Sequence, residues 1–246
     1  MLNYFYFYYC LLDKYQFKKD LGFSYVLGAT LVFEILKYKK EFVKKIYLHP
    51  NLSDIIKSDL EKVAGNIPLE INQRVFNILS DKENCYVIAE FDKYSDELKD
   101  SDLHLVLVNP SNAGNFGTII RSALGFGVKD IAVITPCVDK FDPKTIRASM
   151  GAIFNCNIVY FNSFEEYENK FDDYKKYPFM LKAKHVLQNM QINKNEKKAL
   201  IFGNEATGLD DSFLNCGEPV IIRHTNEIDS LNLQTAVSIG LYEFTK

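Results

Sequence analysis

The chain has 246 residues, 47% of them apolar and 25% charged, with a formal net charge of −3. That supplies a core for one large or two ordinary domains and excludes a disordered chain, and the negative balance excludes coating nucleic acid through bulk positive charge. Recognition of any partner therefore has to come from local sites.

The opening run Met1 to Leu12 is apolar and rich in Tyr and Phe. It lacks a preceding basic residue and a small-residue cleavage site and is too short to span a bilayer, so residues 1–20 are read as an aromatic leader, whether strand, packing arm or upstream extension. Strands are predicted at Phe23–Leu27, Val43–Leu48, Pro68–Ile71 and Cys85–Phe91, and helices at Thr30–Lys39, Ser53–Val63 and Gln73–Leu79. This makes a small α/β module, residues 21–98. Phe91 to Asp102 is nearly all polar and reads as a linker, with a boundary near Asp100.

Residues 103–246 repeat the alternation. Strands are predicted at Leu103–Val108, Asp130–Thr135, Asn157–Phe161, Phe179–Ala183, Ala199–Phe202 and Pro219–Ile222, with helices near Gly117–Leu124 and at Asn232–Phe244. Such an α/β order implies a mostly parallel sheet that binds ligands at the carboxyl ends of its strands. Charged residues interrupt every apolar run well before membrane-spanning length.

Three stretches stand where such a site is expected. In Asn109 to Gly127, Asn115 suits a helix N-cap, and Gly117, Arg121 and Gly125 fall in one row that is bare except for a guanidinium. The alternative is a glycine stripe for helix packing, with Arg121 paired to a carboxylate. In Leu200 to Leu209, Glu205 stands between Gly203 and Gly208; Leu209 and Asp210 occupy the places of the Lys and Ser/Thr of a phosphate loop, which excludes one. Glu205 is equally readable as a turn carboxylate. In Val220 to Phe244, Leu233, Ala236, Val237, Gly240, Leu241 and Phe244 form one apolar helix face, preceded by two cap-type residues, Ser230 and Asn232.

Asn112 to Arg121 (NAGNFGTIIR), Gly203 to Leu209 (GNEATGL), and Ser230 to Ala236 (SLNLQTA) followed by Leu-Tyr-Glu resemble, in order, the three motifs of the SpoU (TrmH) group of RNA 2′-O-ribose methyltransferases in the SPOUT superfamily. Gly28 to Leu36 and Leu79 to Ile88 resemble the substrate-binding module that precedes many of these enzymes. The resemblance implies an α/β chain whose C-terminal domain is trefoil-knotted, preceded by a small RNA-binding domain. It also implies S-adenosylmethionine as cofactor, held largely by backbone groups at the positions of Gly203, Ile222 and Leu231. The catalytic set it implies is Asn115, Arg121, Glu205, Ser230 and Asn232, working in a homodimer whose two-fold contact includes the closing helix. Large-subunit rRNA is the implied substrate, ahead of tRNA. A non-catalytic RNA-binding or ribosome-assembly protein of the same fold is the rival reading. Arg223, His224 and Asn226 replace a Pro, a Met and a Gly found in many relatives, and Asn84, Cys85 and Tyr86 replace a polar turn of the front module.

A guanidinium stays protonated at neutral pH, so Arg121 is read as a bidentate holder of the phosphate beside the target ribose rather than as a base. Eight lysines between Lys14 and Lys45 face Asp20, Glu34 and Glu41, a local excess of five positive charges. Lys39, Lys40, Lys44 and Lys45 are its candidate RNA contacts, against the alternative of a solvated lysine face. Five scattered cysteines without a C-x-x-C pair, and four scattered histidines, predict a reduced, cytoplasmic setting and neither disulfides nor a metal site.

Overall fold

The computed structural model describes residues 17–80 and 84–246. Most of the aromatic leader, with Cys10 and Lys14, lies outside the described residues. The chain forms two compact units: one reaches to Tyr94 and includes Phe141–Arg147, and the other holds Ser95–Lys140 and Ala148–Lys246.

The first unit is built from β1 (Phe23–Leu27), α1 (Ala29–Tyr38), β2 (Val43–Leu48), α2 (Asp54–Ala64), β3 (Leu69–Ile71), α3 (Gln73–Leu79) and β4 (Val87–Asp92). Its sheet order is β1-β4-β2-β3. The expected parallel arrangement does not hold here. β4 runs antiparallel to β1 and β2, and β2 and β3 alone are parallel. β4 enters the middle of the sheet, between β1 and β2, and so turns two of the sheet's three pairings antiparallel. Tyr25, Tyr47, Val75, Phe76 and Ile88 pack into one core cluster of this unit.

The second unit holds β5 (Leu103–Val108), α4 (Ala113–Gly125), β6 (Asp130–Ile134), β7 (Asn157–Phe161), α6 (Phe164–Lys170), β8 (Lys175–Pro178), β9 (His185–Val186), β10 (Lys198–Phe202), β11 (Val220–Ile221) and α7 (Leu233–Thr245), while helix α5 (Pro143–Ala148), all but its last residue, belongs to the first. The main sheet, β7-β6-β5-β10-β8, is parallel throughout. Its central strands are buried along nearly their whole length, as expected for a sheet covered on both faces. The strand expected at Phe179–Ala183 lies earlier, at β8. Two lysines in Lys175–Pro178 hid it, and lysine is the residue that suits this edge position.

The polar stretch 91–102 is not a free tether. Asp96 forms an ion pair with Lys140 at 2.8 Å, both side chains 4% exposed, and Lys140 also donates to the Ile158 carbonyl. The Lys99 amide donates to Asp130, and the ring of buried His104 bonds the Lys99 carbonyl and the Tyr167 hydroxyl. Charges that look solvated in one dimension are matched in three. Arg147 and Ala148 close α5, and after buried Ser149 the chain passes through Gly151 in the left-handed region (φ 82°), which caps the 3-10 turn Ala152–Asn155.

Candidate active site

Three loops of the second unit leave the carboxyl ends of neighbouring strands, and their contacts build the site. After β5 the chain turns through Asn109 (φ 53°), a left-handed position that Asn tolerates better than most residues. The Asn109 carbonyl accepts from Asn204 Nδ2 at 2.7 Å, which ties the loop after β5 to the loop after β10. Helix α4 begins a turn earlier than expected, and its N-cap is Asn112, not Asn115: Asn112 Oδ1 accepts from the Asn115 amide at 3.0 Å. Two asparagines three residues apart both suit a cap, and the chain reversal after Asn109 selects the first.

Glu205 reaches across to this helix start. Its carboxylate accepts from the Ser111 amide (3.1 Å), the Ser111 hydroxyl (3.0 Å), the Asn112 amide (3.2 Å) and, at 3.5 Å, Asn115 Nδ2. Burial pushes its pKa up, but the hydrogen bonds from its own amide, from Ser111 and from Asn112 outweigh burial and hold it below the usual carboxylate value. A carboxylate at the amino end of a helix also suits the helix dipole. Ser111 was absent from the sequence reading, and its place between Pro110 and the first motif gave no signal for it.

The loop carrying Glu205 is closed on itself by paired backbone bonds between Asn204 and Gly208. A Cβ at Gly203 would collide with the backbone of Gly208 and Leu209, so this turn requires glycine there. Gly203, Ile222 and Leu231, distant in sequence, line one cavity of about 550 Å³, and Glu205 and Ser230 also line it. Phe179 and Phe202 stack on its wall with ring centroids 4.2 Å apart. Gly240 lets α7 seat against that ring pair, since a Cβ there would come within 2.9 Å of both rings. The glycine inside an apolar helix stripe was the available clue to this packing.

Asn115, Arg121 and Asn232 do not line the cavity. Arg121 is exposed on α4, and among the described residues it has neither hydrogen bond nor ion pair, so Glu205 does not hold it within this chain. Gly117 is buried, so the row Gly117, Arg121, Gly125 is open only at its later end. Asn232 caps α7, accepting from the Gln234 amide at 3.0 Å. The segment in which Arg223, His224 and Asn226 depart from relatives is pinned by Gln188, whose side-chain amide both donates to the Arg223 carbonyl (3.0 Å) and accepts from its amide (3.2 Å). The His224 ring bonds the Ile222 carbonyl at 2.9 Å.

The front-unit lysines are largely engaged. Lys44 pairs with Asp92 (3.2 Å) and Lys45 with Glu70 (2.9 Å), Lys40 donates to the Val63 carbonyl (2.6 Å), and Lys39 lies over the Tyr94 ring (4.5 Å). Strand neighbours thus bring in carboxylates that the local charge count omits.

The SpoU rRNA Methylase family matches residues 102–242. This chain belongs to that family. A Synechocystis protein named as an uncharacterized tRNA/rRNA methyltransferase is 31% identical over 57% of this chain, a match spanning 52% of that relative's length. The 23S rRNA (guanosine(2553)-2′-O)-methyltransferase of Bacillus subtilis is 28% identical over 87% of this chain and 85% of its own length. Among solved structures, the SpoU methyltransferase AviRb of Streptomyces viridochromogenes in complex with AdoMet shares the fold, with a TM-score of 0.81 at 21% identity over 91% of this chain and 89% of that one. The α/β architecture inferred from the motifs is therefore that of the family.

Proposed function

We propose that this protein is an S-adenosylmethionine-dependent RNA 2′-O-ribose methyltransferase that acts on large-subunit rRNA as a homodimer, with a trefoil-knotted C-terminal domain and an RNA-binding front unit. The observation that carries this reading is the convergence of Gly203, Ile222 and Leu231, with Glu205 and Ser230, on one cavity. Support for rRNA comes from the Bacillus subtilis relative, whose similarity extends through most of the front unit as well.

The cavity fits the cofactor. Its volume is ample for a molecule of that size, its wall combines apolar Leu209, Ile222 and Leu231 with glycine backbone, and Gly208, with open space where a side chain would stand, leaves main-chain groups accessible to a ligand. Gly203, Ile222 and Leu231 are the residues that hold it, and when bound it supplies an electrophilic methyl group on sulfur.

The chain's own groups have separable tasks. Arg121, exposed and uncommitted, grips the RNA phosphate beside the target ribose through its planar fork and stabilises negative charge developing on the hydroxyl oxygen. Glu205, kept ionised, fixes the start of α4, the helix that carries Asn115 and Arg121. Ser230 and Asn232 set the approach to the cavity, Asn232 by capping α7. Val237, Gly240, Leu241 and Phe244 are buried within this chain, so the edge of α7 at Tyr242, 55% exposed beside Phe126, the residue that caps the end of α4, is the part left for a two-fold contact.

Incubating the protein with methyl-labelled cofactor and total RNA from a strain lacking it should label large-subunit rRNA at a ribose. Failure to label any RNA, with cofactor bound normally, would leave the non-catalytic RNA-binding reading standing. Arg121→Lys should lose most of the activity, because a point charge cannot reproduce the fork; a near wild-type rate would remove Arg121 from the phosphate grip.

A further inference from the structure

The cavity carries an opposed pair of charges that the reading above leaves unused. Lys182 follows β8, and Asp211 opens the 3-10 turn Asp211–Asn215. Both line the cavity, and Lys182 Nζ donates to the two carboxylate oxygens of Asp211 at 2.7 Å each. The other carboxylates on this wall are committed. Glu205 holds Ser111 and Asn112, and Asp210 accepts from the amide (2.8 Å) and the hydroxyl of Ser212. Among the described residues, Lys182 and Asp211 have only each other as hydrogen-bond and ion-pair partners. Their side chains are 66% and 68% exposed, so the pair is well screened by water and adds little to stability.

We propose that Lys182 and Asp211 form the receptor for the α-amino acid end of the cofactor, Lys182 taking its carboxylate and Asp211 its ammonium. The inference rests on the cavity being the S-adenosylmethionine site. A free α-amino acid group carries both charges on one carbon at neutral pH. A lone cation or anion on the wall would satisfy one charge and oppose the other, whereas an adjacent lysine and aspartate match both. Because the two side chains are solvated and weakly coupled, opening their ion pair to admit the ligand costs little, and each charge exchanges one partner for an equivalent one. The backbone-lined part of the cavity has no such charge pair, which leaves the adenosine portion of the ligand to Gly203, Ile222 and Leu231.

Calorimetric titration with two probes tests this without turnover. S-adenosylhomocysteine keeps the amino acid end, and 5′-methylthioadenosine lacks it. Lys182→Met and Asp211→Asn should each weaken S-adenosylhomocysteine about tenfold and leave 5′-methylthioadenosine within about twofold of its wild-type affinity. Added salt should weaken the first ligand more than the second in the wild type. Thermal melting should be unchanged in both variants, since both side chains are exposed. Wild-type affinity for S-adenosylhomocysteine in the variants would overturn the proposal, as would equal weakening of both ligands, which would place the pair at the adenosine portion. A wild-type protein that binds neither probe would overturn the cofactor reading itself, and the proposal with it.

Discussion

In the first unit β4 runs against both of its neighbours, whereas in the second every pairing in the main sheet is parallel. Antiparallel neighbours send their following loops to opposite ends, and the charged side chains of this sheet meet strand to strand instead, Lys44 with Asp92 on antiparallel β4 and Lys45 with Glu70 on parallel β3. Parallel neighbours send all their following loops to one edge. The loops after β5, β10 and β8, three adjacent strands, are joined by Asn204 to Asn109, by Glu205 to Ser111 and by Lys182 to Asp211. The difference teaches that polar residues carried on loops become a site where parallel neighbours send those loops to one edge, whereas charges carried on the strands themselves pair with the next strand in either direction.

Substitutions can break or sharpen that contrast. The largest effect is expected from Gly203→Ala, where a methyl group has no room beside Gly208. Displacing this loop should reduce S-adenosylhomocysteine affinity on the order of 100-fold by calorimetry, and an unchanged affinity would show that the converging loops are not closely fitted. Next comes Glu205→Gln, which keeps the shape but removes the charge at the start of α4. It should lower stability by about 1 to 2 kcal/mol in urea unfolding and slow methyl transfer, and no change in either would detach Glu205 from α4.

Two groups of the second unit, half-buried Glu205 and buried His104, sharpen the contrast through pH. Glu205 is held below its usual value, so its contribution persists as pH falls into the ordinary carboxylate range and is lost as pH falls through the lower folded value. For His104 it is burial that lowers the pKa from its usual 6.5, against the opposing pull of the Lys99 carbonyl and nearby aspartates. Below that usual value the unfolded chain takes up a proton that the folded ring resists, so stability should decline as pH falls from 6.5 toward the folded value. Urea midpoints measured from neutral to mildly acid pH should show this decline, and it should flatten in His104→Gln; an equal slope in the variant would assign it to other groups.

The smallest effects belong to the first unit. Lys44→Ala or Lys45→Ala should change stability by less than about 1 kcal/mol, since both ion pairs are well exposed. Neutralising Lys39, Lys40, Lys44 and Lys45 together should flatten the salt dependence of RNA binding, and an unchanged slope would remove these lysines from the RNA surface.

Much of the architecture was legible in one dimension. β1, β2, α3, β5 and β7 lie where hydrophobic periodicity places them, and the apolar face of α7 is buried as its spacing requires. The sequence alone also determined the family, because its three motifs depend on residue type and order. What it could not contain was neighbourhood. The strand order β5-β10-β8, the choice of Asn112 over Asn115 as cap, the Ser111 partner of Glu205 and the Lys182–Asp211 pair all join residues separated by other elements, or depend on which of two equivalent local options the rest of the fold permits. Local propensities act over a few residues, whereas these contacts are set by how whole strands are ordered in a sheet, and only the folded chain decides that.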